Sequence, residues 1–271
     1  MRRLLAVALL IILAGCGGAI DGADDREPYE VTEPVEPVAN VSTEATASPG
    51  ENPLDGLSAD GISNTGLLVE RHRVALEDEP HAVRTSIVVV DANESLVFGR
   101  EQRLERDAGG DPLSVREYQY GPSLSRLPHS DLPSENDTVL AEHWEDGGTA
   151  VSRIETSDGE VERGDGLRRE LFVGDAHLGV VSDLGEDSLD TETDDGTVRH
   201  VVEATEPAPG SAYLEEEAFE GRIVVSDDGV VERVLLSGTV EEDGEPLGVW
   251  FAWQLDRDDV VVEEPEWTDE G

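Results

Sequence analysis

From residue 82 onward, apolar and polar positions alternate in short runs, and Asp, Asn and Gly fall between the runs at turn spacing. A period of two interrupted by turn residues predicts antiparallel strands that place one face in a core. The first group covers Ala82 to Val90, Ser95 to Arg106 and Leu113 to Tyr120, split by Asp91-Ala92-Asn93 and by Ala108-Gly109-Gly110-Asp111-Pro112. Thr149 to Thr156 and Glu160 to Arg163 form a hairpin across Ser157-Asp158-Gly159, and Thr197 to Thr205 adds a further strand. The last group is Ala218 to Val225, Val230 to Val240 and Pro246 to Leu255, joined by Asp227-Asp228-Gly229 and Glu242-Asp243-Gly244, with Val260 to Val262 as a short final strand. Before residue 82 the period lengthens. Ser63 to Glu77 reads as a helix with Asn64 or Thr65 as N-cap and Leu67, Leu68, Val74 and Ala75 on one face. Short helical pieces are expected at Gly166 to Val173 and Ala212 to Glu217. The fold class is α+β: a single domain over residues 53–265, built on an antiparallel sheet covered by an N-terminal helix and short helical segments, with 266–271 as a tail.

The first fifty residues follow no such period. Arg2 and Arg3 precede an unbroken apolar run from Leu4 to Leu13, which Ala14-Gly15-Cys16 closes. That run is about half of the ~20 residues a membrane-spanning helix needs. It reads as a signal peptide over residues 1–15 with a lipobox ending at Cys16. Cys16 is the single cysteine of the chain, so no disulfide can form within it and the thiol is free for lipidation. Export by the twin-arginine or the general secretory route stays open. Residues 16–52 are rich in Gly, Pro, Glu, Ser and Thr and read as a tether between anchor and domain. Outside the cell, the Thr-rich part from Val41 to Ser48 suits O-linked sugars, and Asn40, Asn93 and Asn136 head N-glycosylation triplets.

Composition sets the surroundings. The chain carries 63 acidic and 19 basic residues, a formal charge of −44, and every basic residue is arginine. Such self-repulsion opposes compaction in dilute buffer, but the Debye length falls to about 3 Å at 1 M salt. A protein of an extreme halophile, facing the outside medium, is the reading that accounts for it. Nucleic-acid binding is excluded for want of a basic face. The absence of lysine removes P-loop, Schiff-base, pyridoxal and kinase chemistry. The six histidines, His72, His81, His129, His143, His177 and His200, show no zinc spacing and read as surface or packing residues. Gly121-Pro122-Ser123-Leu124-Ser125 only superficially resembles a nucleophile elbow. Asp190 to Gly196 alternates carboxylates as a calcium loop does, but the sixth and twelfth positions are Asp195 and Val201 rather than Gly and Glu, so it reads as a solvated acidic loop. No metal, cofactor or catalytic residue is expected, and the chain reads as a non-enzyme.

A helix followed by a long meander resembles the open half-barrel of the LolA and LppX-type lipoprotein carriers in order and architecture. Leu57-Ser58-Ala59-Asp60-Gly61-Ile62, the helix with Arg71, His72 and Ala75, and the final Asp-Gly hairpin are similar to a family of haloarchaeal lipoproteins of unknown function, over most of residues 52–262. The carrier resemblance implies a curved sheet around an apolar cavity, with Trp250, Phe251 and Trp253 as candidates for its wall and rim. Aromatics alternating along a strand also simply fill cores. Two function classes follow: a tethered lipoprotein that binds a lipid or other apolar ligand, or an envelope protein with a filled core that binds another surface protein.

Overall fold

The computed structural model describes residues 54, 56–58, 60–121, 139–156, 158–159, 161–164, 178, 180–181, 184–185, 187–194, 196–207, 219–242 and 244–269. All of them belong to one compact unit, Ala47–Gly271. Its elements are β1 (Leu57–Ser58), β2 (Gly61–Ile62), α1 (Thr65–Ala75), β3 (His81–Val90), β4 (Leu96–Arg106), β5 (Leu113–Tyr120), β6 (Val139–Asp146), β7 (Thr149–Thr156), β8 (Val161–Gly164), β9 (Asp187–Asp194), β10 (Thr197–Ala204), β11 (Glu220–Ser226), β12 (Val231–Glu242) and β13 (Glu245–Asp256). One-turn 3-10 helices follow β4 at Ala108–Gly110 and close the chain at Glu266–Asp269.

β1 and β2 form a small hairpin of their own, and the other strands make one antiparallel sheet of 11, in the order β8-β7-β6-β5-β4-β3-β13-β12-β11-β10-β9. This is two meanders joined at the middle. The N-terminal arm runs outward from β3 to β8, and the C-terminal arm runs inward from β9 to β13. They meet where β3 and β13 pair, from Ala82↔Asp256 to Gly248↔Val90. β8 and β9 are the two edges, so the sheet is not closed into a barrel. The edge strand β9, with the sequence Asp-Ser-Leu-Asp-Thr-Glu-Thr-Asp, carries four carboxylates in eight residues, a charge density that discourages pairing with another chain.

One face of the sheet, the core face, carries a continuous buried apolar cluster that includes Val83, Ile87 and Val89 of β3, Phe251, Trp253 and Leu255 of β13, Val234 and Leu236 of β12, and Ile223 of β11. Leu57, Leu68 and Leu76, from the β1-β2 hairpin and the α1 region, complete it. α1 begins where Asn64 Oδ1 accepts the Leu67 amide at 3.0 Å. Gly56, at φ +96°, makes that start possible: a Cβ there would lie 2.8 Å from the Leu68 nitrogen and 2.9 Å from the Asn64 carbonyl. Arg71 Nε donates to the Asp228 carbonyl, and the Val231 amide donates to His72 Nδ1 at 3.2 Å, so α1 is tied to the β11-β12 turn. Arg257 extends the tie by bridging Asp228 and Glu79, at 3.1 and 2.6 Å. Burial of the Asp228 carboxyl pushes its pKa up. The Ser226 hydroxyl, the Arg257 guanidinium and the Val230 amide outweigh that and hold it below the ordinary aspartate value.

Several expectations are corrected by these elements. Leu67 and Val74 are 52% and 53% exposed; the buried residues of α1 are Leu68 and His72, one turn apart, so the helix turns its partly polar stripe inward. β6 and the β1-β2 hairpin had no counterpart in the strand pattern. The acidic run from Asp190 is the end of β9 and its turn into β10, not a free loop. Residues 260–262 form no strand. The helical pieces expected at 166–173 and 212–217 lie outside the described residues. Among the described residues, α1 is the one α-helix packed against the sheet, and no helix is long and apolar enough to cross a membrane.

Candidate functional site

Strand pairing sorts the side chains of the two arms by face. Because successive residues point to opposite sides of a strand, Trp250 and Phe251 cannot share a face. Phe251 and Trp253 sit on the core face, in register with Ile87 and Thr85 of β3, and Trp253 is 1% exposed. Trp250 lies on the reverse face, its ring folded over Gly248 and in register with Val88. Trp144 and Trp267 are also on the reverse side. There the Arg153 guanidinium stands 5.6 Å from the Trp267 ring, with its Nε 2.5 Å from Glu142. Trp253 is therefore the one tryptophan of the core face.

The core face of the C-terminal arm is apolar from strand to strand. The row through Trp253 continues as Val234, Ile223, Val202 and Leu189, each the cross-strand partner of the one before. The core face of the N-terminal arm is different. The same row continues from Trp253 to Thr85, Gln102 and Glu117, and the adjacent positions hold Arg100 and Gln119, all of them buried. Arg100 donates to Glu117 Oε2 at 2.6 Å and Gln102 Nε2 donates to the same oxygen at 2.9 Å. Further out, His143 Nδ1 lies 2.7 Å from Ser152 Oγ, and His143 Nε2 lies 3.8 Å from Glu145. That trio has the residue types of a nucleophile-base-acid set, but Ser152 is 2% exposed and nothing described gives a substrate access to its hydroxyl.

Three polar atoms on this row have no hydrogen-bond partner among the described residues: Thr85 Oγ1, Gln102 Oε1 and Trp253 Nε1. Each is enclosed; Thr85 pairs with Gln102 on one side and with Trp253 on the other, so Gln102 and Trp253 stand two strands apart. Over Trp253 stands His72, edge-on, with ring centroids 5.6 Å apart. An enclosed polar atom without a partner costs about 1 to 3 kcal/mol, and three of them fall in this one row.

Thr85, Arg100, Gln102, Glu117 and Gln119 were not singled out from the sequence. The available signal was spacing: Arg100 and Gln102 fall between Phe98 and Leu104 at a period of two, and Glu117 and Gln119 continue from Leu113 and Val115. These positions belong to the buried side of the alternation although their residue types are polar. Asn93 lies exposed in the β3-β4 turn, where its amide donates to Asp91 Oδ1. Cys16, Asn40 and Asn136 lie outside the described residues. Among the described residues, no three His, Cys, Asp or Glu side chains are grouped to hold a metal ion. A small pocket of about 130 Å³, lined by Arg73, Glu77, His81 and Arg106 among others, lies apart from the row, near the C-terminal end of α1.

No family profile and no curated protein matches the sequence. Among solved structures, a domain assigned to outer membrane lipoprotein sorting, from Vibrio parahaemolyticus, aligns over 74% of this chain and 95% of its own at 10% identity, with a TM-score of 0.25. MucB in complex with MucA(peri) aligns over 71% and 94% at 9% identity and a TM-score of 0.15. The MucA/MucB complex of Pseudomonas aeruginosa aligns over 71% and 94% at 13% identity and a TM-score of 0.12. At these values the architecture is read from the chain's own strand order.

Proposed function

We propose that this chain is a non-enzymatic lipoprotein of a halophilic cell, anchored through Cys16 at the outer side of the membrane, whose sheet curls as an open half-barrel and binds a lipid or other apolar ligand on its core face. What carries this reading is a mismatch of size. Eleven strands at about 4.8 Å spacing give a sheet roughly 48 Å along its arc, whereas α1 at ~1.5 Å per residue is only about 16 Å long. The apolar face is therefore wider than the one helix described over it, although its side chains are themselves buried. Trp253 and Phe251 would form part of the wall, and Trp250, on the reverse face, would not.

One observation favours the alternative, an envelope protein with a self-filled core that binds another surface protein. Phe251 and Trp253 are already enclosed in the free chain, at 9% and 1% exposure. Mass spectrometry of the protein purified from native membranes in molar salt, intact and after solvent extraction, separates the two. The expected result is a lipid mass on Cys16 together with a co-extracted apolar compound near one per chain. A lipidated Cys16 without any bound compound moves the reading to the protein-binding alternative. An unprocessed N-terminus overturns the anchor itself.

A further inference from the structure

We infer that the pocket beside the C-terminal end of α1 is a binding site for a small zwitterion, a free α-amino acid of the size of glycine or alanine, whose carboxylate meets Arg106 and whose ammonium meets Glu77. The inference is independent of any ligand on the core face.

Arg106 ends β4 opposite His81, the first residue of β3, and both line the pocket together with Arg73, Leu76 and Glu77. The 3-10 turn after β4 closes another side. There the Gly109 amide donates to the Glu77 carbonyl at 2.9 Å, which fastens the turn to the end of α1. Four of the described arginines enclose an Nε that has no hydrogen-bond partner: Arg100, Arg103, Arg106 and Arg116. Three of them hold a carboxylate through the same guanidinium, Arg100 with Glu117, Arg103 with Glu105 and Arg116 with Glu142. Arg106 holds none among the described residues, in a chain with 63 acidic residues. Glu77 lines the same pocket from its exposed rim, and its carboxylate has no ion pair among the described residues either, not even with Arg106. Arg73 is already paired, since Glu70 accepts from its Nε and Nη2 at 3.0 and 2.7 Å. The pocket thus presents one unmatched guanidinium and one unmatched carboxylate to the same small space.

Those two charges select the ligand. A simple anion drawn to Arg106 is repelled by Glu77, and a simple cation drawn to Glu77 is repelled by Arg106. A zwitterion satisfies both, and a guanidinium offers its carboxylate two parallel N–H donors. Because the zwitterion has no net charge, the field of a chain at −44 does not repel it. Molar salt sharpens the choice: dissolved single ions compete for each wall separately, whereas a ligand that carries both charges makes its second contact within one molecule. The volume of about 130 Å³ lies below the ~300 Å³ at which sites for drug-sized ligands begin, and Leu76 is the one apolar side chain of the described lining. A hydrocarbon chain or a nucleotide therefore does not fit there.

The test is equilibrium dialysis of the full chain in molar salt at pH 8 against radiolabelled glycine, acetate and methylammonium. Glycine is expected to bind about tenfold more tightly than either single ion. Arg106→Gln and Glu77→Gln should each cut glycine binding by about tenfold. They should differ on the single ions: Glu77→Gln leaves acetate binding unchanged or stronger, and Arg106→Gln does the same for methylammonium. Glu77 is exposed, so Glu77→Gln is expected to fold, and far-ultraviolet circular dichroism checks both variants. Acetate binding equal to that of glycine, with a gain on Glu77→Gln, overturns the zwitterion in favour of a simple anion site. No measurable glycine binding, or glycine binding that both variants retain, overturns the pocket as the site.

Discussion

The two arms of the sheet share a construction and one continuous apolar core, but differ in the polar groups they bury beside it. Both are antiparallel meanders, they are joined by one strand pair, and each turns one face inward. The C-terminal arm buries Leu247, Val249, Val234, Leu236, Ile223 and Val202, side chains whose transfer from water is favourable by about 1.5 to 3 kcal/mol each. The N-terminal arm buries Arg100, Gln102, Glu117, Gln119, His143 and Ser152 among its apolar residues. Buried polar groups of this kind add little to stability over a well-packed apolar set and are costly when only half satisfied. An arm that could have been built like its partner instead carries polar groups where they weaken the core. The difference predicts a division of labour in stability, the C-terminal arm contributing more per buried residue than the N-terminal arm.

The strongest way to break that comparison is through the buried ion pair. Glu117→Leu leaves Arg100, itself 3% exposed, as an uncompensated charge, and is expected to lower stability by about 3 to 5 kcal/mol in urea unfolding at molar salt. The double variant Arg100→Met, Glu117→Leu removes both charges and should regain most of that loss, ending within about 1 kcal/mol of the wild type or above it. If the double variant remains as unstable as the single one, the polar pair is a structural necessity and the division of labour between the arms fails.

Ile223→Ala in the apolar arm provides the complementary test. The side chain is fully enclosed between Val234 and Val202, and its truncation is expected to cost about 2 to 4 kcal/mol through lost transfer energy and the cavity left behind. Thr85→Val, in the polar arm, removes a hydroxyl that has no partner and should be neutral or up to about 1 kcal/mol stabilising. The opposite ranking would place the stabilising core in the wrong arm.

The same contrast explains what could be read along the chain. The C-terminal strands were visible because their buried positions are apolar: Val234, Leu236 and Val240 of β12 and Leu247, Val249, Phe251, Trp253 and Leu255 of β13 fall at even spacings along their strands. In the N-terminal arm the pattern of type departs from the pattern of burial. β6 reads Val-Leu-Ala-Glu-His-Trp-Glu-Asp, with His143 on the core face and Trp144 buried on the reverse face, so no period of two is left to detect. β9 failed for another reason. As an edge strand it needs little apolar surface, Leu189 alone packs partly against the core, and its carboxylates resemble those of a solvated loop. His72 was read as a surface or packing residue. It is a packing residue, and its acceptor role toward the Val231 amide, 159 positions away, is a tertiary fact with no local signature. Likewise Gln102, Thr85 and Trp253 become one row only through the register of three strands.

The smallest expected effect concerns pH, and it touches the apolar arm at its one histidine. His200 lies in β10 between Thr191 and Val225, and burial lowers its pKa, while the nearby Asp227 carboxylate partly opposes that shift. A histidine depressed in the fold binds its proton more readily when unfolded. Its neutral form supports the fold fully above the unfolded value of about 6.5, and that support is lost as the pH falls from there toward the lower folded value. Because the ring is only partly buried, the whole effect should stay below about 1 kcal/mol. Urea midpoints measured between pH 8 and pH 5 in molar salt should therefore fall slightly for the wild type and less for His200→Gln. A wild-type midpoint that rises over this window, with the variant flat, would mean that the protonated ring is the form the fold prefers, and that the apolar arm also contains a charge-stabilised site.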